Sequence, residues 1–341
     1  MPRIAVDAMG GDNAPGVVVR GAYKYAQTQP DHQVILVGIE DKVAPVLAQC
    51  GPALKNISLV HAPDVIGMDE HPRDALRKKK HNSLSVGCDL IRQGKADAVL
   101  SAGNTGGLVM AATVILRTLP GVMKAGIATT LPTVKGRIVM MDVGANVETK
   151  PNHLLQYAAM GEIFYRALMP AREKLRVGLL TVGSEEGKGS TVIREAHALL
   201  TQSGLSFSGN CEGNDIFEGN FEVVVCDGEL GNVVLKTAEG IADAITKLLM
   251  GHVKAAELAT DPRWAKAAGG LMKDIDWRDV GGAVLLGVGG TVVISHGRSD
   301  ERAIFSGIRV AAECCQHKVN EQIVKVLESQ KAKSGAGVTP A

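Results

Sequence analysis

Two stretches decide the architecture, Ile138-Val-Met-Met-Asp-Val-Gly144 and Val223-Val-Val-Cys-Asp-Gly228. Each is apolar on consecutive positions and then breaks at an aspartate close to a glycine. A strand wetted on one face alternates apolar with polar, so an unbroken run of this length predicts a strand covered on both faces. Working outward, short aliphatic runs recur at 4–7, 34–37, 57–60, 98–101, 138–142, 177–182, 223–227 and 291–295. Most lead into a glycine or polar turn and then a stretch with helical spacing, the βαβ rhythm. The expectation is an α/β protein with a mostly parallel sheet between helical layers.

The chain has 341 residues, room for one large α/β domain or two smaller ones. A single domain is expected over 1–328, with a helical arm at about 240–280, where Ala, Lys, Leu and Met dominate around the break at Pro262. Residues 329–341 lack apolar periodicity and are expected to be a disordered tail. A net charge of +1 and 3% aromatic residues leave neither a basic field nor a stacking platform, so nucleic acid is not the expected partner. The six cysteines form no C-x-x-C pair, no secretory leader opens the chain, and no run of 18 apolar residues occurs. A reduced, cytoplasmic protein follows as the expectation.

Five Gly- or Asn-rich segments follow expected strands: 7–12 (DAMGGD), 101–107 (SAGNTGG), 142–146 (DVGAN), 183–189 (GSEEGKG) and 227–232 (DGELGN). In a parallel sheet, loops at strand carboxyl ends meet at one crevice, and their backbone N–H groups favour an anion. None completes a nucleotide fingerprint. Together they predict one oxyanion or phosphate site, with Asp7, Gly10, Gly11, Asp12, Asn104, Thr105, Gly106 and Asn146 among its lining. Lys188 stands just ahead of a helical stretch and either meets that phosphate or pairs with Glu185 or Glu186 as a solvated loop lysine. Asn232 and Lys236 share a helix face, Asn232 alternatively being an N-cap. His296 ends the last expected strand and either faces the same site or serves the fold. No histidine spacing predicts a metal, and Ser101 and Ser184 have no evident base.

The run Arg73, Arg77, Lys78, Lys79 and Lys80 is expected on a helix entered after Pro72. It is either a solvated face or a landing patch for an acidic protein.

At these residues the sequence resembles the bacterial phosphate acyltransferases. The segments DAMGGD, SAGNTG, MDVGANV with KPNHL, GLLTVGSEEGKG, GNCEGNDIF, VVVCDGELGNVVLKTAEG and GGAVLLGVGGTVVISHGRS resemble that family's motifs in order, end to end. The resemblance implies a three-layer α/β/α sandwich akin to phosphotransacetylases and isocitrate dehydrogenases. It implies a homodimer, an arm that serves dimerisation and peripheral membrane contact, and a place near a membrane glycerol-3-phosphate acyltransferase. The implied reaction moves a long fatty acyl group from acyl carrier protein to inorganic phosphate, without cofactor or metal. Lys188, Asn232 and His296 are then the expected catalytic residues and the basic run the carrier-protein surface. A short-chain acyl-coenzyme A phosphotransacetylase and a silent membrane scaffold are the rival readings.

Overall fold

The computed structural model describes residues 1–169, 174–255 and 261–335. Its strands are β1 (Arg3–Asp7), β2 (Gln33–Gly38), β3 (Ile57–His61), β4 (Ala98–Ser101), β5 (Gly126–Thr133), β6 (Gly136–Met141), β7 (Val177–Leu180), β8 (Phe207–Cys211), β9 (Val223–Val225), β10 (Ala283–Leu286) and β11 (Thr291–Ile294). Helices α1 (Gly16–Thr28), α2 (Glu40–Cys50), α3 (Pro72–Lys78), α4 (Ser83–Arg92), α5 (Thr105–Ile115) and α6 (Pro151–Leu168) lie between them. They are followed by α7 (Thr191–Gln202), α8 (Gly213–Glu218), α9 (Gly228–Ala255), α10 (Pro262–Ile275), α11 (Glu301–Gln316) and α12 (Val319–Gly335).

All the described strands join one sheet in the order β3-β2-β1-β4-β11-β10-β5-β6-β9-β7-β8. Successive residues of a strand point to opposite faces, so Ile4 and Val6 enter one core with Tyr25, Leu154, Phe164 and Ile308, while Ala5 enters the other with Leu84, Leu108 and Ile216. Both faces are covered, as the unbroken apolar runs predict.

The sheet is not parallel throughout, and that changes where its loops go. β10 is antiparallel to both β11 and β5, and β5 is antiparallel to β6. β5 turns into β6 through only Val134 and Lys135, with Gly136 at φ +117 where the tight hairpin needs a left-handed residue. Consequently β1–β5 and β11 run one way, while β6–β10 run the other. Their carboxyl ends face opposite edges.

Helix α9 spans the two. It opens after β9 and packs Val234 and Leu235 on the core that holds Leu84 and Leu108. From Gly228 to Lys236 it rises about 12 Å, matching the roughly 13 Å length of a four-residue strand. The expected arm at 240–280 is therefore the outer part of a helix that starts within the sheet's edge loops, followed by α10 and a single 3-10 turn at Trp277–Asp279. At the C-terminus, α12 continues to Gly335, so the expected tail begins as helix; 336–341 lie outside the described residues.

Candidate active site

The first group of loops follows β1, β4 and β11. Asp7 is buried, and its carboxylate accepts from the Ser101 hydroxyl (2.6 Å) and the Met9 N–H (3.1 Å). Burial pushes this carboxyl up and those donors pull it partly back. Ser101 therefore has a partner after all, and its oxygen also accepts the Gly103 N–H (2.9 Å). Gly10 lies against this pair, where a Cβ would fall 2.5 Å from Asp7 Oδ2 and 2.6 Å from Gly103 N. The Asp12 N–H donates to the Gly297 carbonyl (2.9 Å), joining the first loop to the last. Gly11, at φ +105, makes that turn.

Asn104 caps α5 by accepting the Gly107 N–H (2.8 Å), and its amide nitrogen donates to the carbonyls of Gly67, Met68 and Glu70. The side chains of Asp7 and Asn104, both expected in the lining of the phosphate site, are hydrogen-bonded inside the protein and shape its loops. Thr105 and Gly106 stay exposed on the first turn of α5. His296 is exposed at the same edge and accepts the Arg298 N–H at Nδ1 (3.3 Å). Partial desolvation of the imidazole, then the cations of Lys236 and Arg298, hold its pKa below the usual imidazole range, opposed by Glu239 and Asp12.

The second group follows β6, β7 and β9 at the other edge. Asp142 is fully buried, and its carboxylate accepts from the N–H groups of Ile127, Gly144 and Ala145 and from Asn146 Nδ2, burial still pushing its pKa up. Asn146 Nδ2 also donates to the Ala125 carbonyl (2.7 Å) and the Tyr157 hydroxyl oxygen (2.9 Å). Like that of Asn104, this side chain, expected in the site lining, holds a loop. The Asn146 carbonyl receives the Gly228 N–H (2.8 Å) and so seats the start of α9.

Asp227 accepts the Leu230 N–H and caps that helix (2.8 Å), so Asn232 lies inside its first turns and is not the cap. Asn232 is exposed, with its side chain beside Gly144. One turn on, Lys236 is exposed near His296 and ion-paired with Glu239 (2.9 Å). Lys188 is exposed in the loop after β7. Leu179 pairs Val225, so this loop and the start of α9 leave the same edge side by side.

Contrary to the expectation from the sequence, the five loops do not share one carboxyl edge. They form two groups, with the inner turns of α9 running from one toward the other.

The basic run is shorter as a helix than expected, since α3 ends at Lys78. Arg73, Arg77, Lys78 and Lys80 are exposed. Lys79 is not a free cation: it bonds Glu70 (2.5 Å) and the Val65 carbonyl (2.7 Å). Pro72 of α3 abuts Gly106, so the basic surface borders the α5 N-terminus. Among the described residues, no three His, Cys, Asp or Glu side chains gather as a metal set, and no helix is long and apolar enough to cross a membrane. Sequence reasoning passed over Asn210 beneath the Lys188 loop, Tyr157 behind Asn146 and the Arg298–Asp243 ion pair (3.1 Å) from α9 to the His296 loop. These four residues are scattered singly along the sequence, without a motif.

The family described as "Fatty acid synthesis protein" matches residues 2–322. The phosphate acyltransferase of Syntrophotalea carbinolica is 43% identical over 330 residues, covering 95% of this chain and 93% of its own. That of Myxococcus xanthus is 41% identical over 331 residues, again covering 95% and 93%. Among solved structures, a phosphotransacetylase from Streptococcus pyogenes aligns with a TM-score of 0.63 at 17% identity, over 93% of this chain and 94% of its own. A branched-chain phosphotransacylase from Enterococcus faecalis V583 aligns at 0.58 and 13% identity, over 95% and 99%. At such identities the likeness is one of fold.

Proposed function

We propose, since the chain belongs to the phosphate acyltransferase family and is an acyltransferase, that it moves a long-chain fatty acyl group from acyl carrier protein to inorganic phosphate. The product is an acyl phosphate for phospholipid synthesis. The observation that carries the reading is the start of α9: Asn232 and Lys236 stand one turn apart on the exposed side, and the Lys188 loop leaves the adjacent strand. Amides and ammonium groups at a helix opening suit an anion.

The cysteines support direct attack over a covalent relay. Burial pushes the Cys88 thiol up to about 12 and raises those of Cys211, Cys226 and Cys314 as well, so none of them is a thiolate at neutral pH. Phosphate needs no such help. Its monoesters lose their second proton near pH 6 and the free ion about one unit higher, so a substantial share of phosphate is already the dianion at neutral pH and needs no strong general base. A phosphate oxygen attacks the thioester carbonyl, the carbonyl oxygen takes the negative charge, and the carrier's thiolate leaves as the acyl phosphate forms. Lys188 and Asn232 orient the phosphate and the developing oxyanion; Lys236 and His296 support them from the facing edge.

Exposed Leu230, Val233, Ile241, Ile245 and Leu248 recur on α9 at steps of three, four and their sums. We assign this stripe to a second copy of the chain and to peripheral contact with a membrane, near the glycerol-3-phosphate acyltransferase that consumes the product. The exposed cations of α3 receive the acidic carrier protein.

The test is thiol release from palmitoyl carrier protein with and without phosphate. Lys188→Ala and Asn232→Ala each lower turnover on the order of 10²-fold, the usual cost of one oxyanion donor. Turnover within about threefold of wild type rejects the assignment. Preference for acetyl-coenzyme A over the carrier substrate replaces it with the short-chain reading.

A further inference from the structure

Asn210 has no part in the chemistry described so far. It lies on β8, an edge strand that carries a bulge: between the pairs Val177↔Phe207 and Leu179↔Asn210, β8 takes three steps against two on β7. Gly209, at φ +109, occupies the extra step. A bulge re-aims the side chain that follows it. Here it turns Asn210 beneath the loop after β7, where Nδ2 donates to the carbonyls of Glu185 (2.7 Å) and Gly183 (3.4 Å).

The Glu185 carbonyl also accepts the N–H of Lys188 (3.0 Å). One carbonyl therefore ties a buried amide to the backbone of the loop's lysine. The loop needs such an anchor, because residues 184–188 are all exposed, with the Lys188 stem lying beside Gly183. Asn210 itself is 6% exposed, and its Oδ1 is buried without a partner. Buried polar atoms are rarely left so. An amide that keeps an orphan acceptor is retained here for its donor.

We infer that Asn210 is a positioning residue, which sets the place of the Lys188 ammonium at the phosphate site through the Glu185 carbonyl. The inference rests on the reading of Lys188 above.

Phosphate-dependent thiol release from palmitoyl carrier protein is measured for the full chain and for Asn210→Ala, Asn210→Asp, Lys188→Ala and Asn210→Ala/Lys188→Ala. Asn210→Asp keeps the shape but sets a carboxylate against two carbonyls, and either single variant reads the effect if the other fails to fold. A loosened ammonium raises KM for phosphate about tenfold and leaves KM for the carrier within about twofold. In the Lys188→Ala background, Asn210→Ala changes kcat/KM by less than about twofold, since the two act as one unit. A fall in kcat alone, an unchanged phosphate KM in the folded variants, or losses that simply add overturn the inference while leaving the role of Lys188 intact. An unaffected Lys188→Ala instead sinks the reading on which the inference depends, and both fall.

Discussion

A single methyl group at Gly231 tests whether the start of α9 has to stand where it does. A Cβ there would lie 1.9 Å from the Asp142 carbonyl oxygen and 2.9 Å from Cys226 Sγ. Real Cβ atoms keep at least 3.0 Å, so the gap must open by about 1.1 Å. Asp142 cannot yield cheaply, because its carboxylate holds the N–H groups of Ile127, Gly144 and Ala145 and the amide of Asn146. The helix moves instead. Alanine in a helix interior gains up to about 1 kcal/mol over glycine, whereas an overpacked interior loses roughly 1–3 kcal/mol, so the overlap wins by a small margin. Catalysis suffers more, because Asn232 is the next residue and a displacement near 1 Å costs on the order of 10²-fold. Gly231→Ala should therefore melt only a few degrees lower while kcat/KM for phosphate, followed by thiol release, drops by one to two orders of magnitude. A variant that turns over within about threefold of wild type, or that melts higher, refutes the reasoning.

Three further outcomes are expected. Asn104→Ala removes a cap and three donor contacts, which should lower stability by about 2–4 kcal/mol in chemical denaturation, and an unchanged midpoint would show that the contacts are idle. The lowered pKa of His296 means that the folded chain binds fewer protons than the unfolded one between the folded value and about 6.5, so stability rises with pH through that window and is lost on acidification. His296→Asn should flatten that part of the Tm–pH profile, and Lys236→Ala should raise the His296 pKa in an NMR titration. Reversing Arg73, Arg77 and Lys80 to Glu should raise KM for the carrier protein at low salt, with the difference shrinking at high salt and KM for phosphate unmoved.

The strands with unbroken aliphatic runs were legible, and all eight expected runs coincide with strands of the sheet. The other three were not. β5 reads GIATTLPT, β8 reads FSGNC around its bulge, and β10 is a four-residue run behind two glycines. β5 and β10 are the strands whose antiparallel pairings reverse the sheet, so overlooking them hid the split of the loops between two edges. At the site, backbone-forming glycines and exposed Lys188 and Asn232 announced themselves by their place after strands. Which asparagines face outward could not be read. Asn104, Asn146 and Asn232 look alike in a list of loop residues, and only the carbonyls that converge on the first two distinguish them.

Because α9 is one continuous rod, its two ends are geared to each other. Taking Lys236, where the helix passes the His296 loop, as the fulcrum, Asn232 lies about 6 Å to one side and Ala255 about 28 Å to the other. Swaying of the distal turns is thus reduced nearly fivefold by the time it reaches the inner amide. On the proposed reading, the outer stripe can ride on a soft, fluctuating surface while the inner turn keeps its register with the phosphate.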